Sequence, residues 1–140
     1  MATMTAPLMT WKNDWEVGVR EIDAQHRQLV SLLNQLHAAM KDGKGKAVVG
    51  AILDSLIYYT KAHFAAEERL MQQCSYRDFV AHQREHNLLT ARVLDFQRTF
   101  KSGGMVITAD LMHFLSKWMQ EHICGSDKKY APFLHAHGIR

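Results

Sequence analysis

The stretch AVVGAILDSLIYYTKAHFAAEERLMQQC, residues 47–74, contains the pattern that organises the whole chain. Its core-facing positions follow one another at alternating steps of three and four residues, which is the spacing of a helix that buries one face. On that face His63 and Glu67 stand where leucine or isoleucine is expected. The full series reads Val49, Leu53, Leu56, Thr60, His63, Glu67, Leu70 and Cys74. This segment therefore predicts a helix whose buried face carries two ionisable side chains.

Three other segments repeat this pattern on either side of it. Residues 22–41 precede it, and residues 76–101 and 108–124 follow it, each with apolar residues at helical spacing. Alternating steps of three and four residues are typical of the seam between packed helices, so we predict an all-α fold. The polar residues that interrupt these three seams are His26, His82, His86 and His122.

Glycines and one polar run mark the ends of the four segments. Glycines occur at 43 and 45, at 103 and 104, and at 125, while both prolines lie near the chain ends and leave the interior free of helix breakers. The polar run 73–77 is a weaker break, in which Ser75 is placed to cap the third helix.

Connections this short favour antiparallel neighbours, so we predict an antiparallel up-down-up-down four-helix bundle over residues 22–124. An N-terminal arm, 1–21, precedes the bundle, and a short C-terminal helix and tail, 125–140, follow it. No segment alternates apolar and polar residues at period two, so essentially no sheet is expected.

Composition limits the protein class. A chain of 140 residues with 47% hydrophobic and 22% charged residues fits one soluble domain, residues 1–140. No apolar run approaches the ~18–20 residues of a membrane span, and the start lacks a signal-peptide pattern, so we predict no membrane insertion and a cytoplasmic location. The net charge is only +3 and the basic residues are scattered, so nucleic acid is not expected as a partner. Cys74 and Cys124 are too few for a structural zinc site.

The polar residues on the four seams indicate a metal site. A buried neutral histidine without a partner costs a few kcal/mol, and a buried carboxylate costs far more. Six such groups in one core would strain a fold whose stability is about 5–15 kcal/mol. A bound cation turns these nitrogens and oxygens into ligands and removes the penalty. The candidate ligands from this argument are His26, His63, Glu67, His82, His86 and His122.

Other metal proteins match parts of the pattern. His82, Glu85 and His86 fit the HxxEH motif of inverted zinc proteases, in which the glutamate is the general base. A zinc metallopeptidase would leave the other polar core residues unexplained and would have no sheet to hold an extended peptide. A ferritin-like di-iron protein would carry Glu-x-x-His pairs, and the sequence has none. A haem bundle with His and Met ligands stays open, but it needs only one buried histidine.

Four pieces of the chain form a more specific combination: a lone histidine, then HxxxE, HxxxH and HxxxxD, with helix-length gaps. They lie in VGVREIDAQHRQLV (17–30), HFAAEERLM (63–71), HQREHNLL (82–89) and HICGSDKKYAPFL (122–134). In this combination the chain resembles bacterial hemerythrins from about Trp15 to Leu134. The resemblance implies a non-haem, oxygen-binding protein that is not an enzyme.

The resemblance also implies a ligand set. His82, His86 and His122 would bind one iron, His26 and His63 would bind the other, and Glu67 and Asp127 would bridge them. The cofactor would be two iron ions joined by an oxo or hydroxo bridge. Ligand arithmetic leaves an open position beside the two histidines, where dioxygen would bind. Asp127 enters only through the resemblance, because the seam argument does not select it.

Reversible binding needs a dry apolar pocket around the site. We expect its wall to comprise Leu29, Phe64, Leu115, Trp118, Met119 and Ile123, each within about a turn of a ligand on its own helix. Glu68, Glu85 and Glu121 are each one residue from a ligand and rotated ~100° around the helix, so we expect them to face solvent or loops.

Several biological purposes fit such an oxygen-binding site. Storage of oxygen, or its delivery to an oxygen-consuming enzyme, is favoured over sensing of oxygen or nitric oxide, because a sensor usually has an output domain and 140 residues leave no room for one. Iron or peroxide handling at the same site is a further alternative.

Overall fold

The computed structural model describes residues 7–103 and 109–140. The helices run α1 Arg20–Lys41, α2 Lys46–Gln73, α3 Phe79–Lys101, α4 Ala109–Glu121 and α5 Lys128–Ala136. A 3-10 turn, Asn13–Trp15, precedes α1, and a π-helical segment, His122–Asp127, joins α4 to α5. Within the described ranges there is no strand, which confirms the all-α prediction. The predicted start of the fourth segment at residue 108 lies outside those ranges.

Helix packing follows the predicted seams. Helix α1 packs against α2 and α4, and α2 also packs against α3. The beginning of α1 meets the end of α2, where Arg69 bonds to Glu21 at 3.0 Å. The up-down-up-down order, the division into arm, bundle and tail, and the cytoplasmic location stay predictions. None of the described helices has the length and apolarity needed to cross a membrane.

The expectation that Ser75 caps the third helix is wrong. Helix α3 begins only at Phe79, and Ser75 has a positive φ of 54°. It closes α2 instead, because its N–H bonds to the carbonyl of Gln72 and the N–H of Tyr76 bonds to that of Met71. These two bonds form a Schellman motif, which satisfies the last carbonyls of a helix.

The predicted break at Gly125 is also wrong. Helical structure continues from α4 through the π-helical segment His122–Asp127 into α5. A glycine lowers helix stability by about 1 kcal/mol, and packing of the helical residues before and after it can outweigh this cost. The consequence matters for the site, because the π-helical turn changes which residues share a face.

A polar layer crosses the bundle between two apolar clusters. One cluster includes Leu29, Phe64 and Leu89, and the other includes Ile22 and Leu70. On α1 and α2 the buried histidines and carboxylates fall between residues of the two clusters, as His26 does between Ile22 and Leu29. The fold therefore brings the polar seam residues of α1, α2, α3 and the π-helical segment to one level.

Candidate metal centre

The six residues selected by the seam argument, and Asp127, which only the family resemblance implies, all lie in the polar layer. None has more than 5% of its surface exposed, and the values for Glu67 and Asp127 are 0%. The described part of the chain brings no other histidine into the layer. The seven are His26, His63, Glu67, His82, His86, His122 and Asp127.

These residues form two adjacent groups of potential ligands. Within each group the donor atoms all lie within 4.8 Å of one another. Glu67 and Asp127 belong to both groups. His82, His86 and His122 complete the first group, hereafter the three-histidine set, and His26 and His63 complete the second, hereafter the two-histidine set.

The shared carboxylates each face both sets. Asp127 Oδ2 lies 2.7 Å from Nε2 of His26, and Oδ1 lies 2.9 Å from Nε2 of His122 and 3.1 Å from Nε2 of His82. Glu67 Oε1 contacts Nε2 of His63, while Oε2 is 3.0 Å from Nε2 of His82. Each carboxylate therefore directs one oxygen to each set.

Local helix geometry explains how the paired residues reach the layer. His82 and His86 are four residues apart on α3, and His63 and Glu67 have the same spacing on α2, so each pair lies on one face. His122 and Asp127 are five residues apart, which an α-helix would place on different faces. The π-helical segment that spans them has a wider turn and brings both side chains inward.

The close contacts perturb the acid–base behaviour of the layer. Burial alone would lower the pKa of His26 and of His82, but the carboxylates of Asp127 and Glu67 outweigh it and raise each pKa to about 9. Burial dominates at His86 and lowers its pKa to about 3. At Asp127 burial opposes ionisation, yet the nearby histidines, His122 foremost, hold the pKa at about 2. Without a cation, the layer keeps its carboxylates ionised only by protonating some of its imidazoles.

Several buried atoms of the layer fit a cation better than they fit each other. Nε2 of His26 and of His63 and both oxygens of Asp127 are buried and, although they lie close to other atoms of the layer, make no hydrogen bond of good geometry among the described residues. Nε2 of His86 and Nε2 of His122 face one another at 3.3 Å. Buried polar atoms are almost always paired, and imidazole nitrogen with carboxylate oxygen suits iron and similar transition metals. The donor set therefore fits a pair of metal ions.

The outer nitrogens of two histidines have hydrogen-bond partners that orient the rings. Nδ1 of His63 donates to Gln25 Oε1 at 2.7 Å, and Nδ1 of His86 donates to Glu68 Oε2 at 3.2 Å. An acceptor at Nδ1 places the imidazole proton there and leaves the lone pair on Nε2 free for a metal. Nδ1 of His122 lies 3.7 Å from a carboxylate oxygen of Glu85, too far for a hydrogen bond, and makes none among the described residues.

The expectation that Glu68 faces solvent or a loop is wrong, because its side chain is only 20% exposed and accepts a hydrogen bond from His86. Glu85 is exposed, as expected. Glu68 also accepts a 2.8 Å hydrogen bond from Gln83, and Glu85 accepts one of 2.7 Å from Ser126. A side chain rotated ~100° from a ligand on its own helix reaches the ligand of the neighbouring helix. Glu121 is exposed, as expected.

The residues predicted as the pocket wall lie in the larger apolar cluster. Five are buried, and Trp118 is half-buried with its ring stacked on His122, 4.5 Å between centroids. The ring of Phe64 stacks on His86, with 3.8 Å between centroids and an angle of 4°. Two faces of the three-histidine set are thus covered by aromatic rings.

A small cavity of about 20 Å³ lies one turn beyond the layer. It is large enough for one small molecule, since a water needs roughly 10–15 Å³ by the same measure. Only three predicted wall residues line it, and sequence reasoning missed the others. The lining is Leu33, Leu56, Thr60, Leu89, Val93, Leu115, Trp118 and Met119. The sequence could have indicated the missed residues, because all of them lie on the helix seams three or seven positions from a candidate histidine ligand.

Comparison with known proteins decides the family. The family model described as "Hemerythrin HHE cation binding domain" matches residues 17–134. The chain belongs to the hemerythrin family. Membership implies dioxygen binding at a di-iron centre, and relatives of this family are oxygen-binding proteins rather than classical enzymes.

Individual hemerythrins agree with this assignment. The chain is 38% identical to a bacteriohemerythrin of Stenotrophomonas maltophilia (strain R551-3), covering 93% of this chain and 84% of the relative. It is 36% identical to the bacteriohemerythrin of Methylococcus capsulatus (strain Bath), covering 92% and 98%. The crystal structure of a wild-type hemerythrin superposes with a TM-score of 0.84 at 36% identity, covering 91% of this chain and 98% of the other. A point mutant of hemerythrin gives 0.86 at 35% identity, with coverages of 92% and 98%.

Proposed function

We propose that this protein binds dioxygen reversibly at a di-iron centre and thereby stores oxygen or delivers it to an oxygen-consuming enzyme. The observation that carries the proposal is the pair of donor sets that share two carboxylates but differ by one histidine. Both irons would share the same two bridging carboxylates, but one would have three histidines and the other two. The iron with two histidines would therefore have one ligand fewer and room for a small molecule.

The seven residues of the layer would serve as ligands to the two irons. His82, His86 and His122 would hold one iron, His26 and His63 would hold the other, and Glu67 and Asp127 would bridge them. When bound, the iron pair supplies the electrons with which dioxygen is held and released. The protein supplies positions and charge: Glu67 and Asp127 offset the positive charge of two cations in a core that water does not reach.

Apolar side chains would make the binding reversible. Leu29, Phe64 and Ile123 are each at most 4% exposed and stand next to histidines of the layer or one turn from them. A wall of this kind admits a small apolar gas while it excludes the water and protons that release reduced oxygen species. The adjoining cavity beside Leu115 and Met119 offers dioxygen an apolar place close to the irons.

A cycling experiment tests the proposal. The purified protein is expected to contain two irons, to bleach on anaerobic reduction and to regain its visible band in air over several cycles. His26→Asn is expected to abolish the recovery. His37→Asn is the matched control, because His37 lies on the same helix but outside the layer. A parent protein without two irons, or one that loses its band after a single cycle, would contradict the proposal.

The zinc peptidase hypothesis finds little support in the site. Glu85 has a half-exposed side chain that bonds to Ser126, and no described strand is available to hold a peptide. His82 and His86 face the shared carboxylates instead. Sensing of oxygen or nitric oxide, or iron or peroxide handling, would use the same seven residues. Loss of the visible band after one cycle would favour an oxidase or peroxidase.

A further inference from the structure

The two donor sets differ in the residues that lie behind their histidines, at the outer ring nitrogen Nδ1. In the three-histidine set, Nδ1 of His86 donates to Glu68, whereas Nδ1 of His122 lies 3.7 Å from Glu85 and makes no hydrogen bond among the described residues. In the two-histidine set, Nδ1 of His63 donates to the neutral amide of Gln25. Nδ1 of His26 is buried and makes no hydrogen bond within the described residues. Among the described residues, a carboxylate hydrogen-bonded to Nδ1 therefore stands behind one set only, as Glu68 behind His86.

The supporting carboxylates are themselves held in place. Gln83 donates to the second oxygen of Glu68 at 2.8 Å, and the Glu68 side chain is only 20% exposed. Ser126 donates to Glu85 at 2.7 Å, although the Glu85 side chain is 49% exposed. Glu68 is the better placed of the two, because it meets hydrogen-bond distance to its histidine and is shielded from water.

A carboxylate behind a histidine strengthens the histidine as a ligand. An N–H that donates to a negative oxygen leaves more electron density on the opposite nitrogen than one that donates to an amide. Loss of such a partner typically lowers metal affinity by about 10- to 100-fold. The difference between Glu68 and Gln25 should therefore appear as a difference in affinity between the two sets.

We propose that Glu68 is a positioning residue that makes the three-histidine set the tighter metal site, so that the two sets fill in order and the two-histidine set fills last. The inference rests on the proposed di-iron function and extends it to the assembly of the centre. The iron that would meet dioxygen is then the one held more loosely.

Titration of the metal-free protein with cobalt(II), followed by visible absorption, tests this order. The parent is expected to take up two ions in two separate steps. Glu68→Gln, which keeps the shape and removes the charge, is expected to weaken the first step by about 10- to 100-fold and to change the second step much less. The two steps should then merge.

Gln25→Glu supplies the opposite change. It places a carboxylate behind His63 and is expected to tighten the second step, a gain that damage to the fold cannot produce. Glu121→Gln is the matched control, because Glu121 is exposed and adjacent to His122. It should leave both steps unchanged.

Two results would overturn the inference. The first is a Glu68→Gln protein that binds both cobalt ions as the parent does. The second is a Glu68→Gln protein that loses affinity equally in both steps. A parent that binds no cobalt would overturn the proposed di-iron function as well, so the two failures are distinguishable.

Discussion

Truncation of Phe64 separates water exclusion from simple core stability. Phe64 is 4% exposed, and its ring covers His86 at 3.8 Å and lies 5.7 Å from the rings of Trp118 and His122. Phe64→Ala removes that cover and leaves a cavity of about one ring next to the three-histidine set. A buried Phe→Ala change costs about 3–5 kcal/mol.

Phe100→Ala is the matched comparison. Phe100 is 7% exposed in the same apolar cluster, but it stands fourteen residues after His86 on α3, about 21 Å away at 1.5 Å per residue. Both changes should therefore cost about 3–5 kcal/mol of unfolding free energy. Only the change at Phe64 opens space where water can reach the site.

The assay measures two quantities on each iron-loaded variant. Urea unfolding followed by circular dichroism gives stability, and the decay of the oxygen-bound visible band gives its lifetime. We expect equal losses of stability, with the lifetime shortened about tenfold or more in Phe64→Ala only, which corresponds to about 1.4 kcal/mol of lost barrier. Equal lifetimes in both variants would refute the reasoning, because Phe64 would then act only as packing.

Three further predictions concern the polar layer. In the metal-free protein, the raised pKa values of His26 and His82, about 9, give stability that is full below pH 6.5 and is lost as the pH rises through 9. The lowered pKa of His86, about 3, removes stability as the pH falls below 6.5. The melting temperature should therefore peak near pH 6.5. Bound metal should suppress the loss of stability at alkaline pH. Asp127→Asn keeps the shape of a shared ligand but removes its charge, and metal analysis should find fewer than two irons per chain. Tyr130→Phe removes a buried hydroxyl that makes no hydrogen bond among the described residues, so urea unfolding should show a change of less than about 1 kcal/mol. A loss above about 2 kcal/mol would reveal a hydrogen bond to Glu67.

The helices and the polar layer were predictable because one physical rule sets both. Burial of one helix face imposes steps of three and four residues, and a histidine on such a face, such as His26 or His63, is visible as an exception. The same rule cannot select Asp127, which is five residues from His122 and shares its face only through the π-helical turn. Asp127 was predicted only because the sequence resembles those of hemerythrins.

The misses have two physical origins. The closure of α2 at Ser75 is a local backbone turn with a positive φ, which the spacing of apolar residues does not encode. The contact of Glu68 with His86 and the cavity beside Thr60 depend on how neighbouring helices are placed. Periodicity along one helix shows which face is buried, but it contains no distance to the next helix. Contacts between helices therefore had to come from the structure.

The polar layer also bears on how the chain opens. Because the layer separates the two apolar clusters, the smaller cluster around Val17, Leu70 and Leu134 is not continuous with the larger one. In the metal-free protein this end should exchange its amide hydrogens through partial opening, faster than the rest of the bundle. Cations held by residues of α1, α2, α3 and the π-helical segment would join both ends into one cooperative unit. Metal binding should therefore slow exchange most in the half of the molecule that contains Tyr130.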